Sequence, residues 1–309
     1  MKITVLLFAC FALIAAEPPA FETRKAGIRA LLAAHRSSTA LEMAIALNRD
    51  WPDDIAGYQL LAEAHLEVGN YAEAEQALQW MFDLRIGKTD AAGWLLLARL
   101  REILGDLEGG LDAINSGLPK AAPGDDRMRA ALLAYCGHLH YVAGRLNSAD
   151  RILSEAVKFG RPDPLTLETL AQVRIAQGRR QDAREILSQL ARSTSQPRYL
   201  YQLAEAGGGA GAYTDFEREA QARAKSADNA NRELVLFYAG SGKRPQEALN
   251  IARAEAVHRH DVFTLDALAV ALNANGKVAE ARATMKQILD IGVRDPQILV
   301  HAAQMDVRP

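Results

Sequence analysis

Cysteine is nearly missing from this chain: there are two, Cys10 and Cys136, in 309 residues. If the segment around Cys10 is removed, one thiol remains and no internal bridge can form, so packing alone must hold the fold even in an oxidising compartment. Aromatic residues are also few, at 6%, and Val-rich runs are scarce, which argues against sheet. Charge of one sign is lacking too. The 36 basic and 38 acidic residues are interspersed and leave a formal charge of −2, with no basic block of the kind that marks a nucleic-acid partner. Beyond residue 16 no window is long and apolar enough to span a bilayer. What remains is an apolar content of 49%, dominated by Ala and Leu, a mixture that favours closely packed helices.

The first sixteen residues differ from the rest. Lys2 precedes an apolar run from Ile3 to Ala16, which closes on Ala15–Ala16 before Glu17–Pro18–Pro19. A positive start, a short apolar stretch and small residues at its end describe a secretory signal peptide, cleaved near Ala16. As a helix the run would reach roughly 21 Å, against a hydrocarbon core of about 30 Å. Leu7–Phe8–Ala9–Cys10 is similar to a bacterial lipoprotein box, but Phe8 fits it poorly. Cys10 therefore reads as one more apolar residue of the leader.

Internal periodicity organises everything downstream. Glycines at Gly69, Gly105, Gly144, Gly178, Gly211, Gly242 and Gly276 are separated by 36, 39, 34, 33, 31 and 34 residues. Five residues after most of them stands a small residue: Ala74, Gly110, Ala149, Ala183 and Ala281. Phe216 breaks this rule and Ala248 comes one residue late. The pattern predicts a helix, a turn closed by glycine in the left-handed conformation, and a second helix whose small residue lets the two backbones approach. Apolar residues at helical spacing, such as Tyr58, Leu61 and Ala62 or Trp94, Leu97 and Ala98, supply the inward stripe of each first helix. Asp163–Pro164 and Asp295–Pro296 pair an N-cap acid with proline at the first helical position, and Asp54, Asp90 and Asp261 precede predicted helices in the same way.

These segments resemble tetratricopeptide repeats, a 34-residue helix–turn–helix unit. The stretch from Ile55 matches best, with Tyr58, Leu61, Ala62, Gly69, Tyr71, Ala74 and Leu78 in place. Copies beginning at Ala130 and Val262 follow, less regular ones begin near Ala91, Pro164, Pro197 and Asp228, and a weak one lies near Phe21. The resemblance implies an all-α, right-handed superhelical solenoid of antiparallel helix pairs. Its expected parts are a leader at 1–16, a degenerate helical hairpin at 17–54 and tandem repeats over 55–295. The repeats divide at about 55–90, 91–129, 130–163, 164–196, 197–227, 228–261 and 262–295, and a capping helix with a tail occupies 296–309. A lone terminal helix is the usual cover for the last exposed face of such an array.

Catalytic and cofactor motifs are not evident. Gly87–Lys88–Thr89 lacks the upstream glycine of a phosphate loop, since Phe82 stands there. Gly207–Gly208–Gly209–Ala210–Gly211 has no flanking strand and reads as a shortened helix and turn, with a functional hinge as the other reading. His138 and His140 would point about 200° apart on a helix and cannot chelate within one turn. His258 and His260 lack an evident third ligand. No cofactor and no metal is expected.

By the same resemblance, the first helices line a concave groove that takes a protein or peptide. The groove positions of the repeat fall on Gln59, Glu63, Arg99, His138, Tyr141, Glu168, Gln172, Tyr201 and Glu205, with Arg232, Asp266 and Asn273 further along and apolar Leu236 and Val270 between them. The lysine and asparagine clamp of the chaperone-binding members is not matched. The expected function is a non-catalytic, exported scaffold in a bacterial periplasm or envelope, or secreted. Two alternatives stand beside it: an envelope lipoprotein anchored through Cys10, and an enzyme whose site no motif reveals, for which Glu63, His138 and Tyr141 are the residues to replace.

Overall fold

The computed structural model describes residues 19–84, 90–159, 163–194, 196–209, 211–224 and 231–308. The expected leader at 1–16, Cys10 and the Gly87–Thr89 turn lie outside them. Among the described residues every regular element is helical. An N-terminal pair, α1 (Pro19–Ala33) and α2 (Ser37–Asp50), is followed by α3 (Ile55–Val68) with α4 (Tyr71–Leu84) and α5 (Ala91–Ile103) with α6 (Leu107–Gly117). Next come α7 (Asp126–Val142) with α8 (Leu146–Ala156), and α9 (Pro164–Ala176) with α10 (Arg180–Ser193). The last pairs are α11 (Pro197–Glu205) with α12 (Ala212–Arg223), α13 (Arg232–Gly240) with α14 (Pro245–Ala256), and α15 (Val262–Ala274) with α16 (Val278–Ile291). A single helix, α17 (Pro296–Gln304), closes the chain.

Local chemistry starts these helices where the sequence places the starts. Asp54 Oδ1 accepts from the Ala56 and Gly57 amides at 2.8 and 3.2 Å. Asp90 accepts from Gly93 at 2.9 Å and Asp163 from Leu165 at 3.1 Å. Asp261 caps α15 through Phe263 and Thr264, and Asp295 caps α17 through Gln297 and Ile298. Asp106 and Asp125, which the sequence reading did not single out, cap α6 and α7 in the same manner. Each cap satisfies end amides that the helix itself cannot reach and contributes about 1 kcal/mol.

The small residues are buried where the periodicity puts them. Ala74, Ala149, Ala183, Ala248 and Ala281 on second helices are fully covered, as are Ala62, Ala98, Ala171 and Ala269 on first helices. Gly137 on α7 is packed so closely that an added Cβ would stand 2.5 Å from Leu153 Cγ on α8. Phe216, in the place of a small residue, is equally buried and is met by Tyr201 and Phe237 with ring centroids 5.1 and 5.4 Å away. One expectation is corrected here. Gly211 does not close the α11 turn: it precedes α12 at φ −88°, and the left-handed turn is made by Gly207 at φ +89°. The extra glycines end α11 early, after nine residues, because each costs a helix interior about 1 kcal/mol relative to alanine.

First helices stack on one another from α3 to α9 and again from α11 to α17, and the stack bends back on itself within the length of the chain. The His260 amide donates to the Val68 carbonyl at 2.8 Å, and the Val262 amide donates to the Tyr71 hydroxyl at 2.9 Å. Ser38 Oγ donates to the His258 carbonyl at 3.0 Å. Tyr71 and Ile103 pack against the apolar core of the C-terminal pairs. The start of α15 thus meets the end of α3. Across one lap the contact therefore passes from the end of one first helix to the start of another, an offset along the helices of about 21 Å at ~1.5 Å per residue.

Candidate binding lumen

The lap curls around a half-open cavity of about 430 Å³ on the concave side, within the range of roughly 300–1,000 Å³ usual for ligand sites. Its wall follows the climb. On α3 it uses Leu66 and Glu67 in the last turn, and on α5 it uses Arg99, Glu102 and Ile103. On α7 the wall has moved to Tyr135 and His138, on α9 to Leu165, Glu168, Thr169 and Gln172. By α13, α15 and α17 it has reached the helix starts, at Arg232, Phe263 and Gln297.

Acid–base pairs one repeat apart rivet this wall. Arg99 Nη2 donates to Glu67 Oε1 at 2.8 Å, while Glu63 stands further off at 3.9 Å. Glu102 receives His138 Nε2 at 2.9 Å on one oxygen and the Tyr135 hydroxyl on the other. Arg198 grips both oxygens of Glu168, with Nε to Oε1 at 3.1 Å, and Gln202 adds a further bond. Arg232 donates to Asp266 at 2.9 Å, and His301 reaches the other Asp266 oxygen at 2.7 Å. Glu168 and Asp266 are 2% and 0% exposed, and these partners supply the hydrogen bonds that water cannot bring there.

The electrostatics follow from burial against pairing. Burial opposes the charge of Glu102, but His138 and the Tyr135 hydroxyl outweigh it and hold the carboxyl below the usual carboxylate range. Burial likewise disfavours a charged His138, yet the Glu102 carboxylate beside it raises the imidazole above the ordinary histidine value. Burial and the Glu102 charge push the Tyr135 phenol well up. Burial, with Glu67 adding to it against the pull of Arg99, raises Glu63. Glu67, also disfavoured by burial, is drawn below the ordinary range by its closer contact with Arg99. Among the described residues no set of three or more His, Cys, Asp or Glu side chains is arranged to hold a metal.

Of the groove residues expected from the sequence, Arg99, His138, Glu168 and Gln172 come together in the wall. Gln59, Glu63, Tyr141, Tyr201 and Glu205 do not line the cavity. Tyr141 lies beside His138 with ring centroids 6.4 Å apart, half-buried, its phenol pushed up to about 12 chiefly by burial and then by Asp295. Tyr201 turns onto Phe216, and the exposed Glu205 accepts from Tyr213 at 2.6 Å. A fixed set of repeat positions holds only where the lumen crosses the middle of a helix. Glu67, Glu102, Tyr135, Arg198 and Arg259 were missed. For all but Arg259, whose partners Asp261 and Thr264 are local, the signal is a charged or polar partner about one repeat away: the bonded pairs Glu67–Arg99, Glu102–Tyr135 and Glu168–Arg198 are 32, 33 and 30 residues apart.

No protein-family model matches the sequence, and no curated protein does. Solved structures do. A thermophilic TPR protein of Thermus thermophilus, TTC0263, superposes with a TM-score of 0.52 at 18% identity, over 60% of this chain and 98% of that one. The fold is the tetratricopeptide-repeat solenoid. A second structure, the APC/C hetero-tetramer Cut9–Hcn1, matches the TPR solenoid over 94% of this chain and 50% of its own, at a TM-score of 0.50 and 14% identity. At such identities the likeness is one of architecture, and the lumen of this chain has to be read from its own residues.

Proposed function

We propose that this TPR solenoid is a non-catalytic scaffold that holds a polar stretch of a protein or peptide partner inside its lumen. The observation that carries the reading is the wall itself. Side chains from α3, α5, α7, α9, α11, α13 and α17 converge on one cavity, and Glu67, Arg99, Glu102, His138, Glu168, Arg198 and Arg232 among them are fixed in place by bonds between repeats. Groups held this way lose little freedom on binding, which is the usual source of affinity in a preorganised site.

Export is the second half of the proposal. It rests on the leader-like segment at 1–16 and agrees with a described region in which no helix is long and apolar enough to cross a membrane. Mass spectrometry of the protein from its native envelope should find a chain beginning just after Ala16. A mass retaining an acylated Cys10 would replace this reading with the lipoprotein one.

For the lumen, a photo-crosslinking residue in place of Gln172 should capture a partner from envelope extract. The same residue in place of Glu185, exposed on α10, should not. Equal capture from both positions, or capture from Glu185 alone, would move the binding surface off the concave side.

A further inference from the structure

The first amide of a helix and its last carbonyl have no partner within the helix. Two such groups are completed here from the far end of the chain. Val262 opens α15, and its amide is taken by the Tyr71 hydroxyl across 191 residues. Val68 ends α3, and its carbonyl is taken by the His260 amide. Neither bond belongs to any helix, so each reports only on whether the two ends of the lap touch.

The turn glycines show how close that touch is. Gly69, Gly105, Gly144 and Gly276 all have positive φ, at 97°, 80°, 73° and 74°, and all close a first-helix turn. Around Gly144 and Gly276 an added Cβ would meet nothing within 4 Å. On Gly69 it would stand 2.5 Å from the Asp261 nitrogen and 2.6 Å from the His260 carbonyl carbon. On Gly105 it would run into the Gly292 carbonyl, and on Gly292 into that of Leu104 at 2.5 Å. These are backbone atoms, which cannot swing aside as a side-chain tip can. Glycine serves backbone conformation alone at Gly144 and Gly276; at Gly69, Gly105 and Gly292 it also permits main chain to lie on main chain.

This junction borders the lumen directly. Tyr71, Arg259 and Asp261 belong to it and line the cavity. Among the described residues it is held by the three hydrogen bonds given above, by the packing of Tyr71 and Ile103 on the C-terminal core and by the attraction between Glu67 and Arg259. Each consecutive helix pair, by contrast, buries a whole apolar stripe. The junction is therefore the place where the ring separates at least cost, with every helix pair still folded.

We propose that the junction of Gly69 with Asp261 and of Gly105 with Gly292 is a gate over the lumen, which parts and recloses as a unit and admits the partner. Its opening stands on geometry alone, whereas its role in admission rests on the lumen being the partner site.

Native-state hydrogen exchange at the Val262 and His260 amides, with small-angle scattering on the same samples, tests it. Gly69→Ala and Gly105→Ala should speed exchange at both amides at least tenfold and enlarge the radius of gyration, with the amides of α7 to α10 unchanged. Gly144→Ala and Gly276→Ala carry the same conformational penalty and should leave both readouts at the wild-type value. Tyr71→Phe, which keeps every glycine, should speed both amides, Val262 the more because it also loses its own acceptor; it decides the matter if a glycine variant loses helicity by circular dichroism. The gate is refuted if Gly144→Ala speeds these amides as much as Gly69→Ala does, or if in wild type they exchange only as fast as the α7 to α10 interior. Crosslinking from position 172 in the Tyr71→Phe background separates the two halves. Faster exchange with greater crosslinking supports both. Faster exchange with unchanged crosslinking keeps the gate and overturns the lumen as the partner site.

Discussion

Asp266 and His301 stand 2.7 Å apart, carboxylate oxygen to ring nitrogen, although 35 residues separate them in sequence. The contact ties the closing helix α17 to α15, and the second Asp266 oxygen ties α15 back to Arg232 on α13. One fully buried carboxylate thus joins three successive first-helix positions. Asp266→Ala would remove the acid and leave Arg232, whose side chain is 19% exposed, without its charge partner. Breaking a buried pair from one side costs about 3 kcal/mol. Urea unfolding should show a loss of that order, and a midpoint unchanged by Asp266→Ala would mean the pair carries no weight.

The His138–Glu102 pair makes stability depend on pH in a definite sense. His138 has a folded pKa above its unfolded value, so its contribution is full below about pH 6.5 and is lost as pH rises through the folded value. Glu102 has a folded pKa below its unfolded value, so its contribution is present above about pH 4.3 and is lost as pH falls through the depressed one. The pair stabilises most between those limits. The stability difference between wild type and His138→Gln should be larger near pH 6 than near pH 9, roughly 2.5 units above the free histidine value. An equal difference at both pH values would show that the pair is not ionic.

Small residues set the spacing within each helix pair. Ala74→Arg and Ala149→Arg would each force a long charged chain into a position with no exposure and should lower the melting temperature severely, through overpacking and a buried unpaired charge. Gly137→Ala is a gentler test. Its new methyl would meet Leu153, and a loss of about 1–3 kcal/mol is expected. Unchanged unfolding in all three variants would show that the helix pairs are packed in another register.

Capping acids should be worth less, and nearly the same everywhere. Asp163→Ala and Asp295→Ala each remove an oxygen that accepts end amides of α9 or α17, for an expected loss of about 1 kcal/mol apiece. The two sites share no partner, so the double variant should lose about the sum within ~0.5 kcal/mol.

Much of this molecule could be read from its sequence because its determinants are local. Asp54, Asp90 and Asp295 announce helix starts by residue type alone, and Ala74 and Ala149 announce close helix contacts by size and period. The α11 turn was misplaced because Gly207 and Gly211 are both glycine, and only the run of helical hydrogen bonds decides which one closes the helix. The lumen was harder still. Whether Arg99 or Tyr201 faces it depends on the pitch of the lap, a quantity summed over many small rotations between repeats. The contact of Gly69 with Asp261 depends on the same sum. A glycine that closes a turn and one that also lies against distant backbone read identically as a single letter.

A repeat array ordinarily gains or loses a unit without harm, since each unit touches only its neighbours. Here the meeting of Val68 with His260 removes that freedom. Excising a single unit, such as 164–196, would rotate the tail away from the head and shorten the climb, so the two could no longer face each other in phase. The number of units between α3 and α15 is thereby counted by the circumference of the lap, and it becomes a property on which selection can act all at once rather than repeat by repeat.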